Sequence, residues 1–486
     1  MFWTLGQYDF VIIYEAPNEK EALKIACAPE GTEVSEPKVE VVEEKLPEPP
    51  IERVEVKETD SFQAQKGKPA GNLTEYRGIA VDGDNSGRRG EARCVTKKIS
   101  HLLFFYLITL DNIEFYMAGI CYLGLRVALL STKVIMTFHE KFRQYDLGEG
   151  HPFRGDRFAN AMRFFESQGL FSLSEVALVA PQPASREELL RIHDQSYVDL
   201  IFRLANESKP YDIETPVSPA ILEATLLIAG GAIECGKAVC EGKVKRAISI
   251  GGGYHHAGRD YGGGFCLFND IAVLVEHLRA KHGIKRLLIL DYDVHFGNGT
   301  SDIYYQDPSV LYISLHQDPR TIYPGTGFAW QIGEGAGEGY NVNVPLPPET
   351  GDNTYLYALN EIFVPLAEEF KPEIVIANGG SDPHFADTLG NLSLTVKGFF
   401  DISRLIRATT EKVCGGKLVL MPGSGYNPQV LPLCWYALVA GVVGLKEINV
   451  KDPYNPPEEP PFCRKKVEST IDELKSLLKK KWAYFR

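Results

Sequence analysis

The stretch LDYDVHFGNG (290–299) decides how the rest of the chain is read. It continues the apolar run RLLIL (286–290), whose length and Leu/Ile content suit a strand buried on both faces of a parallel sheet. That strand delivers Asp291, Asp293 and His295 to its end. Side chains alternate along a strand, so three residues spaced by two project to one side. Two carboxylates and an imidazole sharing one face beside a core are costly unless they are paired or hold an ion. The stretch therefore predicts a strand end that carries chemistry.

Three further segments share this layout of apolar run, short turn and reactive side chain. They are RAISIGGGYHH (246–256), EIVIANGGSD (373–382) and KLVLMPGSGY (417–426). Ligands of open parallel α/β sheets bind outside the carboxyl ends of the strands, so all four termini should face one crevice. His255, His256, Asp293, His295, Asp382 and Tyr426 would meet there. Asp293, His295 and Asp382 offer one nitrogen and two oxygens and leave zinc an open position. A histidine pair can carry a proton from water to a leaving amine, and a tyrosine hydroxyl can donate to a developing oxyanion. The combination predicts amide hydrolysis at a metal. Taken singly, the segments have plainer readings: DxH is a weak metal signal, GGSD suits a helix cap, and GSGY suits a strand-end turn. Their coincidence at four strand ends carries the argument.

Working outward, 486 residues leave room for more than one folded unit, since a domain usually takes about 100–200. A net charge of -13 argues against non-specific attraction to nucleic acid or to an anionic membrane. Nine cysteines without a CxxC pair indicate neither a disulfide framework nor a thiolate zinc site, and they suit a reducing cytoplasm. The N-terminus has no basic segment followed by an apolar one, so no secretory signal is expected. The apolar segment 101–131 is broken by Asp111, Glu114 and Arg126, which favours a buried or amphipathic element over a span.

Residues 1–26 read as a strand, FVIIYEA, and a helix opened by Pro17 and Asn18. Residues 27–132 begin as a Glu/Pro/Val-rich acidic linker, to about residue 60, and continue as a segment without a clear assignment. An α/β texture runs over 133–450. A Pro-rich spacer, DPYNPPEEPP, and a terminal helix, VESTIDELKSLLKKKW, with lysines in its last turn, fill 451–486.

GGGYHHAGRDYGGGFCLFND, LDYDVHFGNGTSDIYY, YPGTG, NGGSDPHFADTLGNLSLT and MPGSGY stand in the order and spacing of the histone deacetylase superfamily, and HPFRGDRF (151–158) resembles its N-terminal arginine motif. The likeness covers roughly 134–445 and is closest to the prokaryotic acetoin-utilisation proteins. It implies an arginase-like α/β/α sandwich around a mainly parallel sheet of about eight strands. It also implies a zinc-dependent deacetylase acting on acetyl-lysine, with an acetylated protein or a small acyl amide such as an acetylpolyamine as substrate. Residues 1–26 separately resemble part of a GYD domain.

By this resemblance Asp293, His295 and Asp382 hold one zinc ion per chain. His256 is the general base and acid, with His255 as its partner and Asp291 behind it, and Tyr426 is the donor opposite the metal. Gly264, Phe265, Tyr323 and Leu389 line the acyl-lysine tunnel, and Arg157 lies near an internal acetate-release cavity. Asp291, Asp293, His295, Ser314 and Leu315 match a monovalent cation site, usually potassium. Asp212 and Glu214 are candidates for the acidic rim residue.

The sequence also departs from the family pattern. Phe296 replaces a frequent second His, Asn298 stands where some classes have Asp, and Pro422 and Ser424 stand where Gly is usual. Two rivals stay open. One is a dimetal ureohydrolase of the same fold, and the other is a non-catalytic acyl-lysine binding module.

Overall fold

The computed structural model describes residues 133–486, together with the backbone of two strands nearer the N-terminus. Those strands, β1 (Phe10–Glu15) and β2 (Leu103–Ile108), pair antiparallel with Phe10 opposite Ile108. They belong to a unit of their own, Met1–Ser131. The strand expected at FVIIYEA is β1, and β2 falls in the apolar segment 101–131. The helix expected after Pro17, the acidic linker and the rest of that apolar segment lie outside the described residues.

Thr132–Arg486 forms a second unit, a three-layer α/β/α sandwich around a parallel sheet of eight strands. In chain order these are β3 (Val134–Thr137), β4 (Val176–Val179), β5 (Arg246–Ser249), β6 (Leu287–Asp291), β7 (Val310–Gln317), β8 (Asn341–Leu346), β9 (Ile374–Gly380) and β10 (Leu418–Ser424). Their order across the sheet is β4-β3-β5-β10-β9-β6-β7-β8. Runs such as LLIL and IVIA are apolar at every position because both faces of a central parallel strand are covered, and β5, β6, β7 and β9 are buried throughout. Pro422 lies in central β10, where it cannot donate to a ladder. It is accommodated where the register with β9 shifts between Pro422 and Ser424.

Seven of the helices matter here: α1 (Asp156–Ser167), α2 (Gln195–Glu207), α3 (Pro219–Cys240), α4 (Asp270–His282), α5 (Val396–Cys414), α6 (Leu431–Val443) and α7 (Pro461–Leu478). α3 packs on α4 and β5, while α6 packs on α5 and α1. Ser218 caps α3 by accepting from the Ile221 N–H at 3.2 Å, with Pro219 in the first turn. Among the described residues α3 is the one helix long and apolar enough to cross a membrane, and most of it is buried inside the domain.

The C-terminal segment extends the same unit. Asp452 accepts from the Val396 N–H at 3.2 Å and contacts His384 Nε2 at 2.7 Å, and Glu459 accepts from the Gly351 N–H at 3.1 Å. α7 buries Val467, Ile471, Leu474 and Leu478, a helical stripe that covers edge strand β8. The helix starts at Pro461 and ends at Leu478, so Lys475 is the only lysine in its last turn and Lys479–Lys481 lie beyond it. The reason is Trp482, which is buried and donates Nε1–H to the Gly339 carbonyl at 2.7 Å. Seating that indole takes the chain out of the helix.

Candidate active site

The four segments singled out in the sequence are the four central neighbours of the sheet, β5, β10, β9 and β6. Their carboxyl ends bring together Asp293, His295 and Asp382, all buried, whose ligating atoms lie within 4.8 Å of one another. β6 ends at Asp291, so Asp293 and His295 stand just past it, while Tyr292 and Val294 between them are fully buried. The alternation expected from the sequence persists beyond the strand. His295 Nδ1 lies 3.1 Å from Asp293 Oδ1 and 3.3 Å from Asp382 Oδ2.

These residues fit a metal ion. Two ligands on a tetrahedral ion with bonds of about 2.0–2.1 Å stand about 3.3 Å apart, which matches the observed separations. Ser424 Oγ donates to Asp382 Oδ1 at 2.7 Å, whereas buried Asp382 Oδ2 has only the 3.3 Å ion-pair contact with His295 Nδ1 and no hydrogen bond of regular geometry. A buried carboxylate oxygen without a donor needs a partner. Burial and the charge of Asp293 hold the Asp382 carboxyl up at about 7. Burial opposes the charge on His295, but Asp293 and Asp382 outweigh it and raise His295 to about 10. A dication would relieve the repulsion between the two carboxylates. Among the described residues no other cluster of three such groups is placed to hold a metal.

Beside the triad stands the histidine pair. His255 Nδ1 donates to Asp291 Oδ2 at 2.8 Å. Burial pulls the His255 pKa down, but Asp291 and Asp293 overcome it and raise it to about 9. His256 is pushed well below the usual histidine range by burial and by the charges of His255 and His295. The two shifts run in opposite directions, favouring imidazolium at His255 and neutral imidazole at His256, whose Nε2 atoms lie 3.1 Å apart. His256 Nδ1 lies 2.7 Å from Asn298 Oδ1. Asn298 thus serves His256, and Phe296 packs on His316 with ring centroids 5.0 Å apart.

Tyr426 follows β10, with its ring centroid 6.4 Å from that of His295. Burial and the carboxylates of Asp382 and Asp293 push its phenol far above the usual value, so the hydroxyl remains a donor. Its backbone is held by Asp387, whose Oδ2 accepts the N–H groups of Tyr426 at 2.7 Å and Asn427 at 3.2 Å. Asp387 Oδ1 accepts from the Leu389 N–H at 3.0 Å, tying the loop after Asp382 to the loop that carries Tyr426. Arg157 is buried behind them. Its guanidinium stands 5.3 Å from the centre of the Tyr426 ring and donates to the carbonyls of Gly423 at 3.3 Å, Pro152 at 3.2 Å and Arg154 at 3.1 Å.

Of the expected tunnel residues, Phe265 stands edge-on to Tyr426 with centroids 6.0 Å apart, and Tyr323 stands 4.9 Å from His256. Leu389 is half-buried in the loop tied by Asp387. Gly264 and Phe265 both have left-handed backbone, φ 50° and 67°. A Cβ on Gly264 would stand 2.3 Å from His256 Cδ2 and 3.0 Å from Tyr323 Cε1. We therefore expect Gly264→Ala to leave a folded protein but displace His256, cutting kcat by about 100-fold, the penalty of a misplacement near 1 Å. Steady-state assays beside a thermal melt check this, and unchanged kcat would mean that the glycine does not set the position of His256.

One layer deeper, Asp291 and Ser314 are register neighbours on β6 and β7. Asp291 accepts from Tyr312 Oη at 2.9 Å and Asn378 Nδ2 at 3.0 Å, and Ser314 Oγ lies 2.8 Å from His316 Nδ1. Leu315, buried on the same strand, gives its carbonyl to Tyr355 Oη at 3.2 Å. Sequence reasoning missed Tyr312, Asn378 and Asp387. Polar residues inside apolar strand runs were the available signal for the first two, and a second Asp five positions after Asp382 was the signal for the third.

Residues 151–442 match the family model of the histone deacetylase domain. A probable deacetylase of Archaeoglobus fulgidus is 35% identical over 72% of this chain and 99% of its own length. The acetoin utilization protein AcuC of Bacillus subtilis is 31% identical over 62% of this chain and 80% of its own. A histone deacetylase-like amidohydrolase of Pseudomonas aeruginosa is 36% identical over 58% and 74%. Among solved structures, the HDA15 HD domain aligns with a TM-score of 0.65 at 28% identity, covering 73% of this chain and 97% of that one.

Proposed function

This chain belongs to the histone deacetylase family of hydrolases, and from that premise we propose that it removes the acyl group of acetyl-lysine with one zinc ion held by Asp293, His295 and Asp382. The observation that carries the proposal is the buried Asp-His-Asp cluster, with an Asp382 oxygen that accepts no hydrogen bond, set beside the His255–His256 pair. When bound, zinc supplies Lewis acidity to the acyl carbonyl and makes water acidic enough to be a nucleophile near neutral pH.

The chain's own groups do the rest. Neutral His256 takes the proton of the attacking water and returns it to the departing amine. His255, held as imidazolium by Asp291, keeps His256 uncharged and stabilises the anion that forms. Tyr426 donates its hydroxyl to that oxyanion. Phe265 and Tyr323, with Gly264 and Leu389, exclude water from the acyl-lysine stem, and Arg157 lies behind Tyr426 where acetate would leave. A potassium ion bound by Ser314 Oγ and the carbonyls of Asp291, Asp293, His295 and Leu315 would stiffen the layer beneath. Free cysteines such as Cys235 and Cys266 suit a reducing cytoplasmic setting.

A second substrate class has one observation in its favour. Asp212 and Glu214 lie close enough to the exposed Tyr323 to help raise its phenol, after the larger effects of burial and of Cys266. Such carboxylates favour a cationic substrate, which includes acetylpolyamines as well as basic acetyl-lysine peptides. The test assays the full chain on both, with and without a chelator and with zinc restored. We expect acetate release that is lost on chelation and recovered with zinc. Tight binding of acetyl-lysine peptide by the zinc-loaded protein without any acetate release would instead make it a binding module.

A further inference from the structure

An asparagine beside a catalytic histidine poses a problem that an aspartate does not. A carboxylate can only accept, so it fixes the proton of its partner imidazole on the near nitrogen. An amide can present either its oxygen or its NH2 group, and the two ends are nearly the same shape. If Asn298 turned its NH2 group toward His256 Nδ1, the proton of the neutral ring would move to Nε2, the nitrogen that must be free to accept. A wrong tautomer of a catalytic histidine costs several orders of magnitude in other hydrolases.

This chain carries a device that removes the ambiguity. Asn298 Oδ1 lies 2.7 Å from His256 Nδ1, and Asn298 Nδ2 donates to Tyr261 Oη at 3.3 Å. Tyr261 in turn hydrogen-bonds Asp302 Oδ2. Read from its outer end, the chain of bonds has one polarity. The Asp302 carboxylate accepts only, so the single hydroxyl proton of Tyr261 points at it. The oxygen of Tyr261 then faces Asn298 with a lone pair, and the amide must turn NH2 to Tyr261 and oxygen to His256. The His256 proton is drawn to Nδ1 and Nε2 is left as the acceptor. Asp302 is exposed on the first turns of the short helix Asn298–Tyr304, whereas His256 is buried, so a surface carboxylate sets the state of an interior base.

We propose that Tyr261 and Asp302 are positioning residues that fix the amide orientation of Asn298 and thereby the tautomer of His256. The proposal rests on the reading of His256 as general base, and its test separates the two. The full chain is labelled with 15N-histidine, and the two ring nitrogens of His256, assigned by loss of their signals in His256→Ala, are followed in parent and variants alongside kcat and KM. In Tyr261→Phe the amide loses the acceptor that holds its NH2 group away from His256, so the 3.1 Å Nε2 contact with His255 is left as the bias on the ring and the Nε2-protonated tautomer of His256 gains population. We expect kcat to fall about 2- to 10-fold, the range that one neutral hydrogen bond supports, with KM unchanged. Asp302→Asn, an exposed change that leaves packing alone, replaces a group that can only accept by an amide that can also donate to Tyr261, so the hydroxyl proton is no longer fixed and a shift of the same sign is expected. In an Asn298→Asp background a carboxylate faces His256 whichever way it turns, and Tyr261→Phe should then leave the tautomer unaltered and cost no further turnover.

An unchanged His256 tautomer in both Tyr261→Phe and Asp302→Asn overturns the proposal. So does a turnover loss from Tyr261→Phe that persists undiminished in the Asn298→Asp background. A shifted tautomer with unchanged kcat sustains the orienting role and removes His256 as the base.

Discussion

We expect replacement of Tyr426 by phenylalanine to leave the proposed zinc bound and to lower kcat about 10²–10³-fold with little change in KM, the loss that follows removal of one oxyanion donor. The substitution deletes a single hydroxyl on a ring that stays wedged between Phe265 and the Arg157 guanidinium. No metal-ligating atom is touched. Burial and the charges of Asp382 and Asp293 favour the protonated phenol, which leaves its hydroxyl available as a donor. A donor to an oxygen that becomes anionic binds the transition state more tightly than the substrate, and its loss appears in kcat. Zinc content by elemental analysis and steady-state kinetics on an acetyl-lysine peptide decide the matter. Near-normal turnover with full zinc would remove Tyr426 from the mechanism.

The larger effect is expected from Asp382→Ala: loss of the proposed zinc and with it all turnover. Asp382 contributes a buried oxygen, Oδ2, that faces His295 and accepts no hydrogen bond. Two ligands remain in the variant, one fewer than the three protein ligands of catalytic zinc sites. The consequence is visible without an activity assay. A ligand that binds only the folded state stabilises it by about 2.7 kcal/mol when present at about 100 times its Kd, so the melting temperature of the parent should rise on addition of zinc. That rise should vanish in Asp382→Ala, and equilibrium dialysis should find no stoichiometric zinc. A variant that kept one zinc per chain and its stabilisation would show that the ion is held elsewhere.

The departures from the family pattern become intelligible at the level of atoms. Ser424 adds a hydroxyl that takes up Asp382 Oδ1 and leaves Oδ2 as the oxygen to be shared with a cation. Phe296 joins an aromatic contact with His316, and Asn298 becomes the inner end of a polar relay. None of the three contributes a further carboxylate to the Asp293, His295 and Asp382 cluster. Ser424, Phe296 and Asn298 are therefore all engaged with residues around the site.

Much of this was legible in the chain itself, for a physical reason. A strand covered on both faces must be apolar at every position, so runs such as RLLIL announce a parallel sheet. Polar side chains at the ends of such runs are costly unless they are used, so His255, His256, Asp293, His295, Asp382 and Tyr426 announced a site. What the sequence determined by itself was thus the layered α/β class and the residue types that meet at one edge of the sheet. Only the tertiary structure decided that β5, β10, β9 and β6 lie side by side, because strand order depends on crossovers and not on local pattern. It alone decided that Asp387 clamps Tyr426 and that Asp452 reaches back to His384, contacts between loops far apart along the chain. And it alone decided which end of the Asn298 amide faces His256, since that choice is made by Tyr261 and Asp302, which approach from a different loop and from the next turn of helix.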